Sequence, residues 1–124
     1  MESILPSSRK PDISFHPSGK IDISARIARL LDISPGDIID ILLDADGELY
    51  LYVKLRAGTY TGHHQGRVNA TARSGKGTTR VWSRAIARAI LAKAAVSGPL
   101  RCPCGSPTIR DNKTLITIIY RHSL

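Results

Sequence analysis

The chain has 124 residues, 42% of them apolar and led by Ile, Leu and Val, with a net charge of +8. That length holds one or two small domains. No stretch reaches the roughly 18 apolar residues of a membrane span, MESILPSSRKPD lacks the basic-then-apolar order of a signal peptide, and two cysteines one residue apart suit reduced thiols in the cytoplasm better than a secreted disulfide scaffold.

Residues 1–11 are polar and broken by proline, and read as a flexible arm carrying Arg9 and Lys10. Ile13-Ser14-Phe15 and Lys20-Ile21-Asp22-Ile23 each alternate apolar with polar, as half-buried strands do. His16-Pro17-Ser18-Gly19 between them is a turn. Ser24 suits a helix N-cap, and Ala25 to Leu31 gives about two turns, with Ile27, Leu30 and Leu31 on one face and Arg26 and Arg29 on another. Pro35-Gly36 reverses the chain. Asp37 to Leu43 and Glu48 to Leu55 are strands joined by a turn with the Asp46-Gly47 hairpin signal. Leu49, Leu51, Val53 and Leu55 face one way, and Tyr50, Tyr52, Lys54 and Arg56 the other.

Residues 12–57 thus hold two hairpins and one short helix, too little chain to bury a self-sufficient core. Partner strands are required. A homodimer that interleaves the hairpins supplies them and removes the sheet edges.

The stretch SGKIDISARIARLLDISPGDIIDILLDADGELYLYV resembles the swapped-hairpin domain of the AbrB and MazE (SpoVT-AbrB) superfamily. The shared features are the Gly19-Lys20 pair, the strand Ile21-Asp22-Ile23, the short helix from Ala25, the turn Leu31-Asp32-Ile33-Ser34-Pro35-Gly36-Asp37 and the hairpin from Ile38 to Val53. The resemblance covers about a third of the chain. It implies an intertwined dimer that binds DNA as a transcription factor or antitoxin, with Lys20 and Arg29 at basic positions of the family and Arg26 beside them. The chain departs from the family at Ser24, where members commonly have proline, and at Ile13 and Ser14, where DNA-binding members carry basic residues.

Charge divides the chain. Residues 1–57 carry seven Lys/Arg against nine Asp/Glu, a balance of −2, and residues 58–124 carry eleven against Asp111 alone, a balance of +10. Such asymmetry points to a polyanionic partner. Residues 58–66 read as a linker, with His63 and His64 as loop residues. Arg67 to Arg73 alternates as a strand. Ser74-Gly75-Lys76-Gly77 is a glycine-rich loop that lacks the Walker A spacing, yet Lys76 and free amides before a helix suit a phosphate. The pattern from Thr79 to Val96 predicts the longest helix, with Arg80, Arg84 and Arg88 four residues apart as a basic stripe and Trp82 as a core or interface anchor. Cys102-Pro103-Cys104 has neither the spacing nor the second pair of a zinc site. Thr108 to Arg110 and Lys113 to Arg121 form a hairpin about Asp111-Asn112. The last strand is apolar on both faces, as a strand covered on both sides would be.

The expected fold is α+β and mainly β: an AbrB-like swapped-hairpin barrel formed by a dimer (residues 12–57), a linker (58–66) and a small basic β-α-β-β extension (67–124). The expected function is that of a cytoplasmic DNA-binding regulator, sequence-specific or architectural, acting as a homodimer with tetramers left open. Its expected DNA contacts are Arg9, Lys10, Lys20, Arg26, Arg29, Lys76, Arg80, Arg84 and Arg88. Neither catalytic residues nor a metal or cofactor is expected, because acids are nearly absent from residues 58–124 and the aspartates of the first half sit at turns. The alternatives are an antitoxin-type module that binds a protein partner and, third, a nucleic-acid-processing enzyme.

Overall fold

The computed structural model describes residues 11–69 and 77–120. The elements among them, in chain order, are β1 (Ile13–Phe15), β2 (Lys20–Ile23), α1 (Ala25–Leu30), β3 (Ile38–Leu43), β4 (Leu49–Leu55), β5 (Arg67–Val68), β6 (Thr79–Trp82), α2 (Arg84–Lys93), β7 (Leu100–Cys102), β8 (Cys104–Arg110) and β9 (Lys113–Ile118). The fold is mainly β. All nine strands join one antiparallel, nearly closed sheet in the order β7-β1-β2-β6-β5-β3-β4-β9-β8.

From β7 to β3 this order reads the same when the two halves of the chain are exchanged. The hairpins β1-β2 and β5-β6 meet through β2 and β6. The first strand after each helix then crosses to the other half, β3 to β5 and β7 to β1. The strands that residues 12–57 require therefore come from residues 67–118 of the same chain. One core serves both stretches, with Phe15, Ile23 and Leu51 beside Val81, Ala87 and Ile116.

The strands β7 and β8 stand at opposite ends of the sheet order yet are separated by Pro103 alone. The chain thus passes directly from one edge to the other. A proline suits this point, because it has no N–H to offer a ladder. Asp12 holds the seam from one side. Its amide donates to the Cys102 carbonyl, and its carboxylate accepts from the Cys104 amide, each at 2.9 Å. From the other side the Ile119 amide donates to the Pro103 carbonyl at 2.9 Å.

Both helices begin and end alike. Ser24 and Ser83 are N-caps whose hydroxyls accept from the amides of Ile27 and Ile86. Beyond each C-terminus stands a residue with positive φ, Asp32 at 52° and Ala95 at 58°. The next amide then turns back onto the helix, Ile33 to Ala28 and Val96 to Leu91. The second helix is shorter than its sequence pattern predicts. Residues Thr79 to Trp82 are strand β6, and α2 starts only after the Ser83 cap. The alternation of buried Thr79 and Val81 with exposed Arg80 and Trp82 explains this, since it fits a pleated strand against β2. The expected strand over 67–73 is present as β5 over its first two residues, and positions 70–76 lie outside the described residues.

The Pro35-Gly36-Asp37 reversal is locked from within. The buried Asp37 carboxylate accepts from the amides of Ser34 and Ala57, both at 2.8 Å, and from Arg56 at 3.0 Å. Arg56 also donates to the carbonyls of Leu31 and Asp32, which closes the end of α1. On the outer side of β4, Tyr50, Tyr52 and Leu115 form a second small cluster. Arg110 lies 5.3 Å from the Tyr50 ring centre and Lys113 5.1 Å from that of Tyr52. With Ile116 and Ile118 in the main core, β9 is covered on both faces, as its sequence predicts. Asp111 and Asn112 both take positive φ, 52° and 65°, in the tight turn between β8 and β9. No helix among the described residues is long and apolar enough to cross a membrane.

Candidate nucleic-acid interface

In an antiparallel sheet, residues directly opposite one another share a face. The inward positions of β1, β2 and β6 are Ile13, Phe15, Ile21, Ile23, Thr79 and Val81, all buried. The intervening residues therefore point outward, and the registers set them in two rows. The first runs Arg101–Ser14–Asp22–Arg80 across β7, β1, β2 and β6. Asn69 follows Arg80, to whose carbonyl it donates at 3.1 Å. The second runs His16–Lys20–Trp82–Arg67. Arg84, the first residue of α2, lies against Gly19 at the end of this second row.

These rows concentrate positive charge. Lys20, Arg67, Arg80 and Arg101 face one carboxylate, that of Asp22, which Arg80 already engages at 2.8 and 3.3 Å. Among the described residues, no carboxylate lies within 4.0 Å of Lys20, Arg67, Arg84 or Arg101. In their midst stands Trp82, 49% exposed, the largest apolar side chain on this face. A depression of about 380 Å³ lies on one side of it, over Gly36, Arg67 and Asn69. Another of about 330 Å³ lies on the other side, over Ser18, Gln65 and Arg84. A third, of about 370 Å³, continues along β1 and β2 past Lys20 and His16 to Arg101.

The basic residues expected at a DNA contact divide into three groups. Lys20, Arg80 and Arg84 come together on this face. Arg29 and Arg88 are exposed on their helices, Arg29 in the last turn of α1 and Arg88 one turn after Arg84. Arg80 lies on a strand, so no three-arginine stripe runs along α2; Arg84 and Arg88 alone share that helix. Arg26 serves the seam, with its Nη2 2.7 Å and its Nε 3.3 Å from the Asp12 carboxylate. Burial raises the Asp12 pKa, but the hydrogen bonds from Arg26, the Cys104 amide and Ser24 outweigh it and hold the carboxyl below its ordinary value. Arg9, Lys10 and Lys76 lie outside the described residues.

Two contributors to the face, Arg67 and Arg101, were not among the expected contacts, and Trp82, expected as a core or interface anchor, is not in the core but half exposed on this face. No sequence signal pointed to Trp82: Thr79-Arg80-Val81-Trp82 does not alternate apolar with polar as Lys20-Ile21-Asp22-Ile23 does, and Trp82 precedes its capping serine as the buried Ile23 does, so only the register against β2 sets it outward.

Cys102 and Cys104 form no disulfide and are buried in the core, and burial pushes Cys102 up to about 11. His64 packs edge-on against Tyr60 and contacts the Thr61 carbonyl. No group of three or more His, Cys, Asp or Glu suited to a metal ion occurs among the described residues. Comparison with family models, with characterised proteins and with solved structures returned no match.

Proposed function

We propose that the protein binds nucleic acid, as a DNA-binding regulator, through the outer face of β1, β2, β5, β6 and β7. The observation that carries this reading is the pair of basic rows around Trp82, with Lys20, Arg67, Arg84 and Arg101 lacking a carboxylate partner among the described residues. Cations held at fixed spacing on a rigid sheet attract a phosphate backbone and release its counterions. The two crossing strands, β3 and β7, support the further reading that the chain is a single-chain counterpart of the AbrB-like intertwined dimer, its two halves standing where two copies would. On this reading a second copy is not needed to complete the sheet.

A mobility shift against random duplex DNA at two salt concentrations tests the proposal. Binding should weaken steeply as salt rises. Lys20→Ala, Arg67→Ala and Arg84→Ala should each weaken it further and each lower the salt slope by about one. Unchanged binding by all three variants at low salt removes this face from consideration.

A further inference from the structure

We infer that Trp82 is a stacking platform for an unpaired base, so that the ligand this face is built for is a single strand of nucleic acid. The inference rests on the nucleic-acid reading above and goes past it in naming the form of the ligand. Three observations converge on it. First, Trp82 is 49% exposed on the outer face of the sheet, between β2 and β5. Second, its two cross-strand neighbours are both cations, Lys20 on β2 and Arg67 on β5, each about 5 Å away between Cβ atoms. A strand whose base lies on the indole has its phosphates beside a positive charge whichever way it runs. Third, two depressions border Trp82, one over Gly36 and Arg67 and the other over Ser18, Arg84 and Gln65, whose Oε1 accepts from the Ser83 hydroxyl at 2.8 Å and whose amide N–H groups remain as donors. Amides pair with the edges of bases that are splayed apart.

Duplex DNA does not use this arrangement. Its base faces are covered by their neighbours in the stack, so a side chain lying on a sheet meets phosphates and groove edges and reaches a base face only after unstacking. An unpaired base offers its π-face without that cost. An aromatic ring bordered by cations is the general solution for holding one. An acidic protein segment would also answer the charge on this face, and polyglutamate tests for it.

Trp82 is the only tryptophan of the chain, so its emission reports on this one position. Oligothymidine of about a dozen nucleotides, titrated into the full-length protein, should quench that emission saturably. An abasic strand of the same length should bind through its phosphates and leave the emission nearly unchanged. With a dye-labelled oligothymidine, Trp82→Ala should weaken binding about ten- to hundredfold. Trp82→Phe, which keeps a ring, should fall between the two, and affinity for the abasic strand should stay the same. If the alanine variant does not fold, the quenching of the native protein decides alone.

The inference is overturned if duplex binds and oligothymidine leaves Trp82 emission unchanged, an outcome in which the nucleic-acid reading survives. It is also overturned if Trp82→Ala binds oligothymidine as tightly as the native protein. If neither strand form binds at low salt while polyglutamate quenches the emission, the face belongs to an acidic protein partner and both readings fall.

Discussion

Replacing Asp12 by alanine removes an acceptor that three elements share. The residue is buried, with 7% of its surface exposed, and it sits where the sheet closes. Its carboxylate accepts from the Cys104 amide at 2.9 Å, from Arg26 at 2.7 and 3.3 Å, and from the Ser24 hydroxyl at 3.3 Å. A hydrogen bond to a charged acceptor contributes about 1.5–3 kcal/mol. The Arg26 side chain is half exposed, so its ion pair adds no more than about 1 kcal/mol. The expected loss for Asp12→Ala is therefore about 2–4 kcal/mol, which for a chain of this size lowers the melting midpoint by about 10 °C. Asp12→Asn keeps one oxygen for the Cys104 amide and should lose about half as much. The pH dependence follows from the lowered carboxyl. Its contribution is complete above the unfolded value of 3.8 and is lost as pH falls through that value and below it. Urea unfolding of native protein and variants, followed by circular dichroism near neutral pH and again at about pH 3, should show the gap between them shrinking in acid. A loss below about 1 kcal/mol at neutral pH, or a gap that acid leaves unchanged, refutes the seam as a charge-assisted closure.

Two further outcomes follow from the geometry. Ala95 is exposed and holds a φ of 58° after α2, a conformation that disfavours any Cβ, so Ala95→Gly should stabilise the protein by about 0.5–1 kcal/mol in the same urea assay. Both cysteines are enclosed, and Cys102 is shifted up to about 11, so a thiol-reactive dye should label neither in the native state at neutral pH and both once denaturant is added. Rapid native labelling would mean that the seam beside Pro103 opens.

Much of the first half was legible because its elements are written locally. Two-residue alternation marks β1 through β4, the Asp46-Gly47 turn marks a hairpin, and Ser24 marks the start of α1. The second half misleads because two patterns overlap on the same residues. Arg80, Arg84 and Arg88 recur every four, and that longer periodicity hides the four-residue strand Thr79–Trp82 and the cap at Ser83. The pairing of distant strands is not a local property at all. β5 has two residues and owes its place to β3 and β6 on either side. The candidate site follows the same rule. Lys20, Trp82 and Arg67 come from segments with no sequence relation to one another, and they become neighbours only when β2, β6 and β5 are set side by side. By contrast the Asp37 turn was readable in part as a capping feature, because its partner Ser34 lies three residues away, whereas Ala57 reaches it only from beyond β4.

Under the proposed function, the exchange of β3 and β7 between the halves bears on the kind of target the chain would select. Two identical copies joined in this way present the same surface twice, and the dyad between them favours a palindrome. Here the strands meeting at the centre of the sheet differ: β2 sends out Lys20 and Asp22, whereas β6 sends out Arg80 and Trp82. A strand of nucleic acid laid across them meets cation and carboxylate first from one end, and indole and guanidinium first from the other. Two unlike halves in one polypeptide therefore give the surface a direction, and under the proposed function a bound strand would have one preferred polarity rather than two equivalent ones.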